Sequence, residues 1–300
     1  MKKKLNFGNI TFNFFNYAVF IAFTLICVFP FYYIFIHSIS SNDLVAKGQI
    51  MLYPRGIHFE NYLNIFAIRG LSQAAFISVA RTVVGTVSSV LCTGILAFAI
   101  SRQELWLRKF WYRFFIVTMY IQAGLIPTYL NIRMLGLLNN FLVYVIGVIS
   151  VFNLILFKTF IESVPASMSE SAEIDGAGYW SVFFRIMLPL CKPIIATLAV
   201  FVAVGQWNSY LDTLLYITNS RLHTLQFTLN RYLRETQALA NLIRDAAAMG
   251  YDIDVSTQIK LTTTSVRMTI TMVVVLPILF VYPFMQRFFV KGIMIGAIKG

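Results

Sequence analysis

The residues of this chain that could do chemistry are few. Histidine occurs only at His37, His58 and His223, and none stands at metal-ligand spacing from another. Cys27, Cys92 and Cys191 lie in or beside apolar stretches. An odd, unclustered set of cysteines offers neither a zinc site nor a disulfide framework. No G-x(4)-G-K-[ST] loop occurs, so nothing here would cradle nucleotide phosphates with backbone N–H groups and a lysine. The glycines of the closing KGIMIGAIKG have a different spacing. No nucleophile stands beside a base. We therefore expect no catalytic residue, no metal site and no cofactor bound by this chain.

What remains is one polar-to-amphipathic stretch, ESAEIDGAGYWSVFFRIMLP, from Glu170 to Pro189. Pro165 opens it, because proline is tolerated in a first helical turn. Glu170 and Glu173 are good helix formers. Asp175 and Gly176 supply a turn, since glycine takes positive φ without steric cost. A second short helix is predicted, with Trp180, Phe183, Phe184 and Met187 at helical spacing, stopping at Pro189. The result is an elbow. Ala172, Gly176, Ala177 and Gly178 are small enough to let another backbone come close.

The elements that hold this elbow are membrane helices. The 300 residues are 58% hydrophobic and 12% charged, against about 25% charged in an average soluble domain. The net charge is +12, but the basic residues flank apolar runs. That is the pattern of membrane helices, and it argues against nucleic acid as a partner. A span needs about 20 apolar residues. We read six, at about 14–36, 74–100, 111–130, 141–161, 193–217 and 267–289, in one all-α membrane domain covering 1–300. The first run is too long for a signal-peptide core. Lys2, Lys3 and Lys4, the Arg102–Arg113 loop and the tail at 290–300 are basic. They place both termini and the 162–192 loop in the cytoplasm, with outer segments at 38–73 and 218–266. Gly85, Ser88, Ser89, Thr93 and Gly94 suit close helix packing. Arg81 either snorkels to a surface or pairs inside the bundle, and Asn153 faces either a partner helix or a pore. In the outer segment, Leu225, Leu229, Tyr232 and Leu233 recur at helical spacing.

The elbow string resembles the EAA motif, E-A-A-x-x-D-G-A-x(5)-F-x-x-I-x-L-P, of permease subunits of ABC importers. Glu170, Ala172, Asp175, Gly176, Ala177, Phe183, Ile186, Leu188 and Pro189 match it, and Ser171 replaces the first alanine. The tail YPFMQRFFVKGIMIGAIKG resembles that of maltose-type carbohydrate permeases, as does GQIMLYPRGIHFENYLNIF in the first outer segment. The resemblance covers nearly the whole chain. It implies the six-helix type I importer permease fold in a bacterial cytoplasmic membrane. It also implies a second permease subunit, two ATPase subunits that carry ATP and magnesium, and an extracytoplasmic solute-binding protein.

In that family the elbow is the coupling helix docked on an ATPase subunit, here Glu170, Ala172, Asp175, Gly176, Ala177, Phe183 and Pro189. Glu170 and Asp175 would either bond to the ATPase or cap their own helices. Lys291, Gly292, Gly296, Lys299 and Gly300 would reach the ATPase interface. Trp207, Asn208, Tyr210, Gln122 and Asn153 are the candidates for the translocation path. Trp207 would stack on a sugar and Asn208 bond its hydroxyls; helix packing and an interhelical hydrogen bond are the competing account. Met249, Gly250, Tyr251 and Asp252 would meet the binding protein. The cargo expected is a carbohydrate, with a lean toward larger or complex oligosaccharides. Two readings of other classes are an ion-coupled secondary transporter, for which there are few candidates, Asp212 and Arg81 each near an outer end, and a non-transporting scaffold or sensor.

Overall fold

The computed structural model describes residues 7–121, 123–147, 149–249 and 263–296. Among them there is no strand, as expected of an all-α chain. In order, the helices are α1 (Phe7–Ile39), α2 (Asn42–Ala46), α3 (Glu60–Phe66), α4 (Leu71–Ser101), α5 (Arg108–Tyr120), α6 (Leu125–Met134), α7 (Val151–Ser163), α8 (Ser167–Ile174), α9 (Tyr179–Ser181), α10 (Leu188–Leu190), α11 (Lys192–Asn208), α12 (Leu211–Tyr216), α13 (Leu225–Ala248) and α14 (Thr263–Gly296). Single 3₁₀ turns lie at Phe141–Tyr144 and Ser220–Leu222, and Val182–Met187 is π-helical.

Among the described residues, three stretches are long and apolar enough to cross a membrane unaided: Phe12–Ile39, Leu71–Ser101 and Thr264–Pro283. Three bent helix pairs raise the number to as many as six. The expected third span, 111–130, is not one helix. α5 and α6 meet at 116°, where Gly124 takes φ +81° and Pro127 suits the first turn of a new helix. The expected fourth span, 141–161, narrows to a 3₁₀ turn and the 13 residues of α7. The fifth breaks after Asn208, and α12 resumes at Leu211. Hydropathy alone does not mark the first two breaks, because the residues around them stay largely apolar; the third falls in the polar run Gln206, Asn208, Ser209 and Asp212.

The chain divides into two units, Met1–Ile68 with Arg231–Leu276, and Arg69–Asn230 with Pro277–Gly300. In the first, the end of α1 is clasped by the segment that follows it. Ile36, Val45 and Ile50 form a small buried cluster. The Asn61 amide donates to the Ser38 carbonyl at 3.2 Å and to Asn42 Oδ1 at 3.0 Å.

In the second unit α4 is the central element. Its buried stripe includes Ala74, Ser78, Arg81, Gly85, Ser89 and Thr93, one face at i, i+3 and i+4 spacing. The small residues bring neighbours close, as the sequence predicts. A Cβ on Gly94 would sit 2.9 Å from the Phe157 ring, and one on Gly85 would sit 2.8 Å from the Gln206 amide. Ser88 differs, since its hydroxyl bonds back to Val84 O at 2.7 Å within its own helix. The core of this unit joins Ala97 and Phe98 of α4, Phe157 of α7, Val182 and Phe183 of the π-helical stretch and Leu198 of α11.

Candidate functional site

The elbow forms as its residues dictate. α8 ends in a C-terminal turn of the Schellman type. Gly176 takes φ +83°, its N–H donates to Glu173 O at 3.0 Å, and the Ala177 N–H donates to Ala172 O at 2.9 Å. Only glycine adopts that backbone without strain, and the two bonds satisfy carbonyls that a helix end leaves bare. The Asp-Gly-Ala string is therefore a helix stop before it is anything else.

The two arms of the elbow differ in burial. The second arm enters the core: Val182, Phe183 and Met187 are 0%, 2% and 6% exposed. Phe183 packs on Phe98 of α4 with ring centroids 5.3 Å apart. This arm does not stop at Pro189, as the sequence suggested. It runs through Leu190 and turns by 81° at the break before α11. A proline in the first turn of α10 loses no bond that the turn needs. The first arm is exposed. Met168 and Ile174 show 52% and 86% of their surface, and at the start of the second arm Tyr179 and Trp180 show 62% and 64%; Gly176 and Gly178 between the arms have nothing within 4 Å of where a Cβ would stand. Glu170 and Asp175 are exposed, and neither α8 nor α9 has a side-chain cap bond at its start. Neither side chain caps a helix start, though Asp175 stands as the C-cap residue of α8 through its backbone. Ala172 and Ala177 are half-buried and pack under the elbow.

Glu173, the third acid of the stretch, has a partner that the sequence reading did not find. Arg102, the C-cap of α4, donates to it. The Arg102 guanidinium lies between two rings, 5.3 Å from Phe98 and 5.4 Å from Tyr179. It is 16% exposed and Glu173 is 35% exposed. A second knot binds the adjoining ends. Arg108 donates to Glu162 and, through Nε, to Ile100 O at 3.0 Å, while Lys158 Nζ lies 2.8 Å from Glu162. Beside Arg102 is an apolar cavity of about 480 Å³, with Trp106, Tyr179 and Trp180 in its wall.

The candidates at membrane depth behave differently. Arg81 is 3% exposed and does not snorkel. It pairs with Asp212, donates from Nε to Gln206 Oε1 at 2.6 Å, and lies 4.6 Å from the Tyr144 ring. Tyr144 Oη in turn donates to Leu222 O at 2.8 Å and meets Thr213 Oγ1 at 2.9 Å. Ser209 Oγ donates to Asp212 at 3.0 Å. The break between α11 and α12 is thus wrapped around a buried charge. Burying Arg81 in an apolar span demanded an acid partner, and Asp212 was the signal available for it.

Trp207 is half-buried and lines an apolar groove of about 340 Å³ with Val79, Val83, Val204 and Pro277. Asn208 is exposed, Tyr210 is half-buried, and Asn153 is 7% exposed within α7. Met249 is 75% exposed just past the end of α13. Gln122, Gly250, Tyr251, Asp252, Lys299 and Gly300 lie outside the described residues. The backbone at Lys291, Gly292 and Gly296 is still helical, because α14 continues to Gly296.

Comparison with known proteins adds to this geometry. Residues 89–295 match the family model described as binding-protein-dependent transport system inner membrane component. The chain is 32% identical over 293 residues to the polygalacturonan/rhamnogalacturonan transport system permease protein YtcP of Bacillus subtilis (strain 168), covering 97% of this chain and 99% of that one. It is 34% identical over 276 residues to the protein LplC of the same organism, covering 92% and 90%. A solved structure, the crystal structure of a bacterial ABC transporter involved in the import of the acidic polysaccharide alginate, contains a chain 28% identical to this one. It aligns with a TM-score of 0.79 over 96% of this chain and 100% of that one.

Proposed function

We propose a mechanism from one premise: this chain belongs to the family of binding-protein-dependent transport system inner membrane components. It is a permease subunit of a carbohydrate ABC importer and a transporter component rather than an enzyme. Neither an ion-coupled carrier nor a scaffold describes that family.

We infer that the elbow is the site at which a separate ATPase subunit pushes. The observation that carries this reading is the contrast between its arms. The exposed arm offers Met168 and Ile174, with two open glycines and the exposed Trp180 just after it. The other arm is embedded among α4, α7 and α11. A force on the first is delivered to the bundle because the second cannot slip in a close-packed core. The Glu170 and Asp175 side chains, exposed and making no cap bond at a helix start, are available to basic or N–H groups of the ATPase. ATP and magnesium would be held there and not on this chain. In this reading the elbow and both termini face the cytoplasm, a second permease completes the pore, and a solute-binding protein delivers the cargo from outside. Nucleotide binding opens the path outward, and hydrolysis resets it.

For the path itself, Asn208 and Tyr210 beside the α11–α12 break remain the proposed contacts. Trp207 serves there as an apolar wall. Met249 would mark the approach to the binding protein. For the cargo we infer an oligosaccharide of acidic sugars. Supporting this are the polygalacturonan/rhamnogalacturonan system and the acidic polysaccharide importer among the matches.

The test is co-purification. Ile174→Asp places a charge on the exposed arm without touching the core. The variant should reach the membrane at normal levels but lose its ATPase and its uptake. Full retention of the ATPase would remove the elbow from the interface. Competition of uptake by galacturonate oligomers, but not by neutral ones of equal length, would test the cargo.

A further inference from the structure

The segment after α1 carries an exposed apolar run. Met51, Leu52, Tyr53, Ile57 and Phe59 are 58–75% exposed, while the preceding Asp43, Lys47 and Gln49 are polar and exposed. A contiguous apolar surface of this kind marks a contact with something that is not water.

Its later part is tied to the end of α1, where the Ser41 N–H donates to Arg55 O at 2.9 Å and the His58 N–H to Ile39 O at 2.9 Å; one further bond marks the depth of its first part. Tyr32 Oη donates to the Leu52 carbonyl at 2.6 Å. Tyr32 lies seven residues before Ile39, where α1 ends, which is about 10 Å at about 1.5 Å per residue. It falls inside the apolar stretch Phe12–Ile39. Helical side chains lean toward the helix N-terminus, so the hydroxyl sits level with its own turn or further from Ile39. Leu52 has therefore doubled back along α1 instead of rising away from its end.

That depth suits the boundary of a bilayer. The apolar stretch of α1 has 28 residues, or about 42 Å of helix, against about 30 Å of hydrocarbon and about 40–45 Å with the headgroup layers. Its last turns must run through the interfacial layer. Met51–Tyr53 are non-helical, and irregular backbone near lipid persists only where its polar groups are paired. Tyr32 supplies that partner for Leu52. Arg55 lies 4.8 Å from the centre of the Tyr53 ring and donates to its hydroxyl. An aromatic body with a guanidinium reaching past it is the chemistry of a membrane–water interface. The surface is continuous with α1, whose apolar window is 6% buried within this chain.

We propose that residues 51–59 form a foot that rests in the boundary between headgroups and acyl chains at the C-terminal end of α1, with lipid as its occupant. Tyr32 holds the start of the foot at that level, Met51 and Leu52 enter the acyl side, and Ile57, beside the His58 bond to Ile39, rests nearer the headgroups. The foot would fix the height and tilt of α1.

The experiment uses the assembled transport complex in phosphatidylglycerol-containing nanodiscs. Leu52→Cys and Lys47→Cys are each labelled with a nitroxide in a chain carrying Cys27→Ala and Cys92→Ala; Cys191 is buried. At position 52, collisions with oxygen should exceed those with a water-soluble nickel chelate several-fold, and position 47 should show the reverse. Equal chelate access at the two positions would overturn the proposal by leaving the loop in water. A label at 52 shielded from both reagents would overturn it in favour of a covering protein. Tyr32→Phe should raise chelate access at position 52 several-fold; no change would remove the bond as the depth-setting contact.

Discussion

Arg102, which ends α4, is ion-paired with Glu173 on the exposed arm of the elbow, 71 positions away in sequence. The elbow thus reaches the bundle twice. One connection runs through its own backbone into the core at Val182 and Phe183, and the other is this pair, gripped between Phe98 and Tyr179. A push on α8 would be felt at α4 directly and not only through α11.

The pair should matter more for coupling than for stability. Both groups are partly solvated, so its loss should cost about 1 kcal/mol or less. Arg102→Gln and Glu173→Gln are each expected to fold and bind the ATPase, with ATP hydrolysis weakly answering to cargo and uptake reduced several-fold. Uptake and cargo-stimulated ATPase activity, measured on the same reconstituted complex, check this. The double swap Arg102→Glu with Glu173→Arg should recover part of the loss.

Gly176 and Gly178 separate backbone strain from docking. Gly176 holds φ +83° with open space around it, so Gly176→Val should cost about 1–2 kcal/mol through backbone strain. It should also reshape the arm. Gly176→Asn should be milder, because asparagine tolerates that conformation. Gly178, with no positive φ and no neighbour, should accept leucine without loss of stability. Lost ATPase binding in Gly178→Leu would then report a steric clash with the partner alone. Thermal denaturation in detergent and pull-down of the ATPase distinguish the cases.

Removing one half of the buried pair at the α11–α12 break should be severe. Arg81→Met leaves Asp212 beside apolar walls without its cation, at a cost of about 3 kcal/mol, the lower end for a buried pair because Asp212 is 36% exposed. Asp212→Asn should cost a similar amount by stranding the guanidinium. Arg81→Met with Asp212→Leu should restore most of the membrane level of the protein. The melting temperatures of the two single variants and the double variant form the cycle that measures it.

Close helix contact makes a sharper demand at Gly94 than at Gly205. A Cβ at Gly94 would press on the Phe157 ring, while one at Gly205 meets nothing within 4 Å. Gly94→Val should lose about 1–3 kcal/mol by overpacking, and Gly205→Ala should be silent. Heat stability of the purified subunit reads both.

Much of this protein is written locally. Apolar length alone announced α1, α4 and α14, because a bilayer demands about 20 apolar residues whatever the neighbours are. The elbow was equally legible: Asp175-Gly176-Ala177 stops a helix by backbone chemistry within six residues. The helical repeat of Leu225 and Leu229 foretold α13. Gly85 and Gly94 announced tight packing, though not what would pack there.

Other features were settled only by tertiary structure. The break at Gly124 falls within apolar sequence, where hydropathy does not change sign; the one after Asn208 falls in a polar run, but what that run pairs with, Arg81 of α4, lies on another helix. The elbow's second arm passes through Pro189 because its π-helical turn is packed on Phe98, a residue of another helix. Arg102 with Glu173, and Arg81 with Tyr144, Gln206 and Asp212, join positions 63–131 residues apart (from 144 − 81 to 212 − 81). The sequence could say that a buried arginine needs an acid such as Asp212, but not that Gln206 and Tyr144 would join it. A local pattern fixes which conformations a segment can take; the choice of partner across the bundle depends on distances that exist only after the helices have packed.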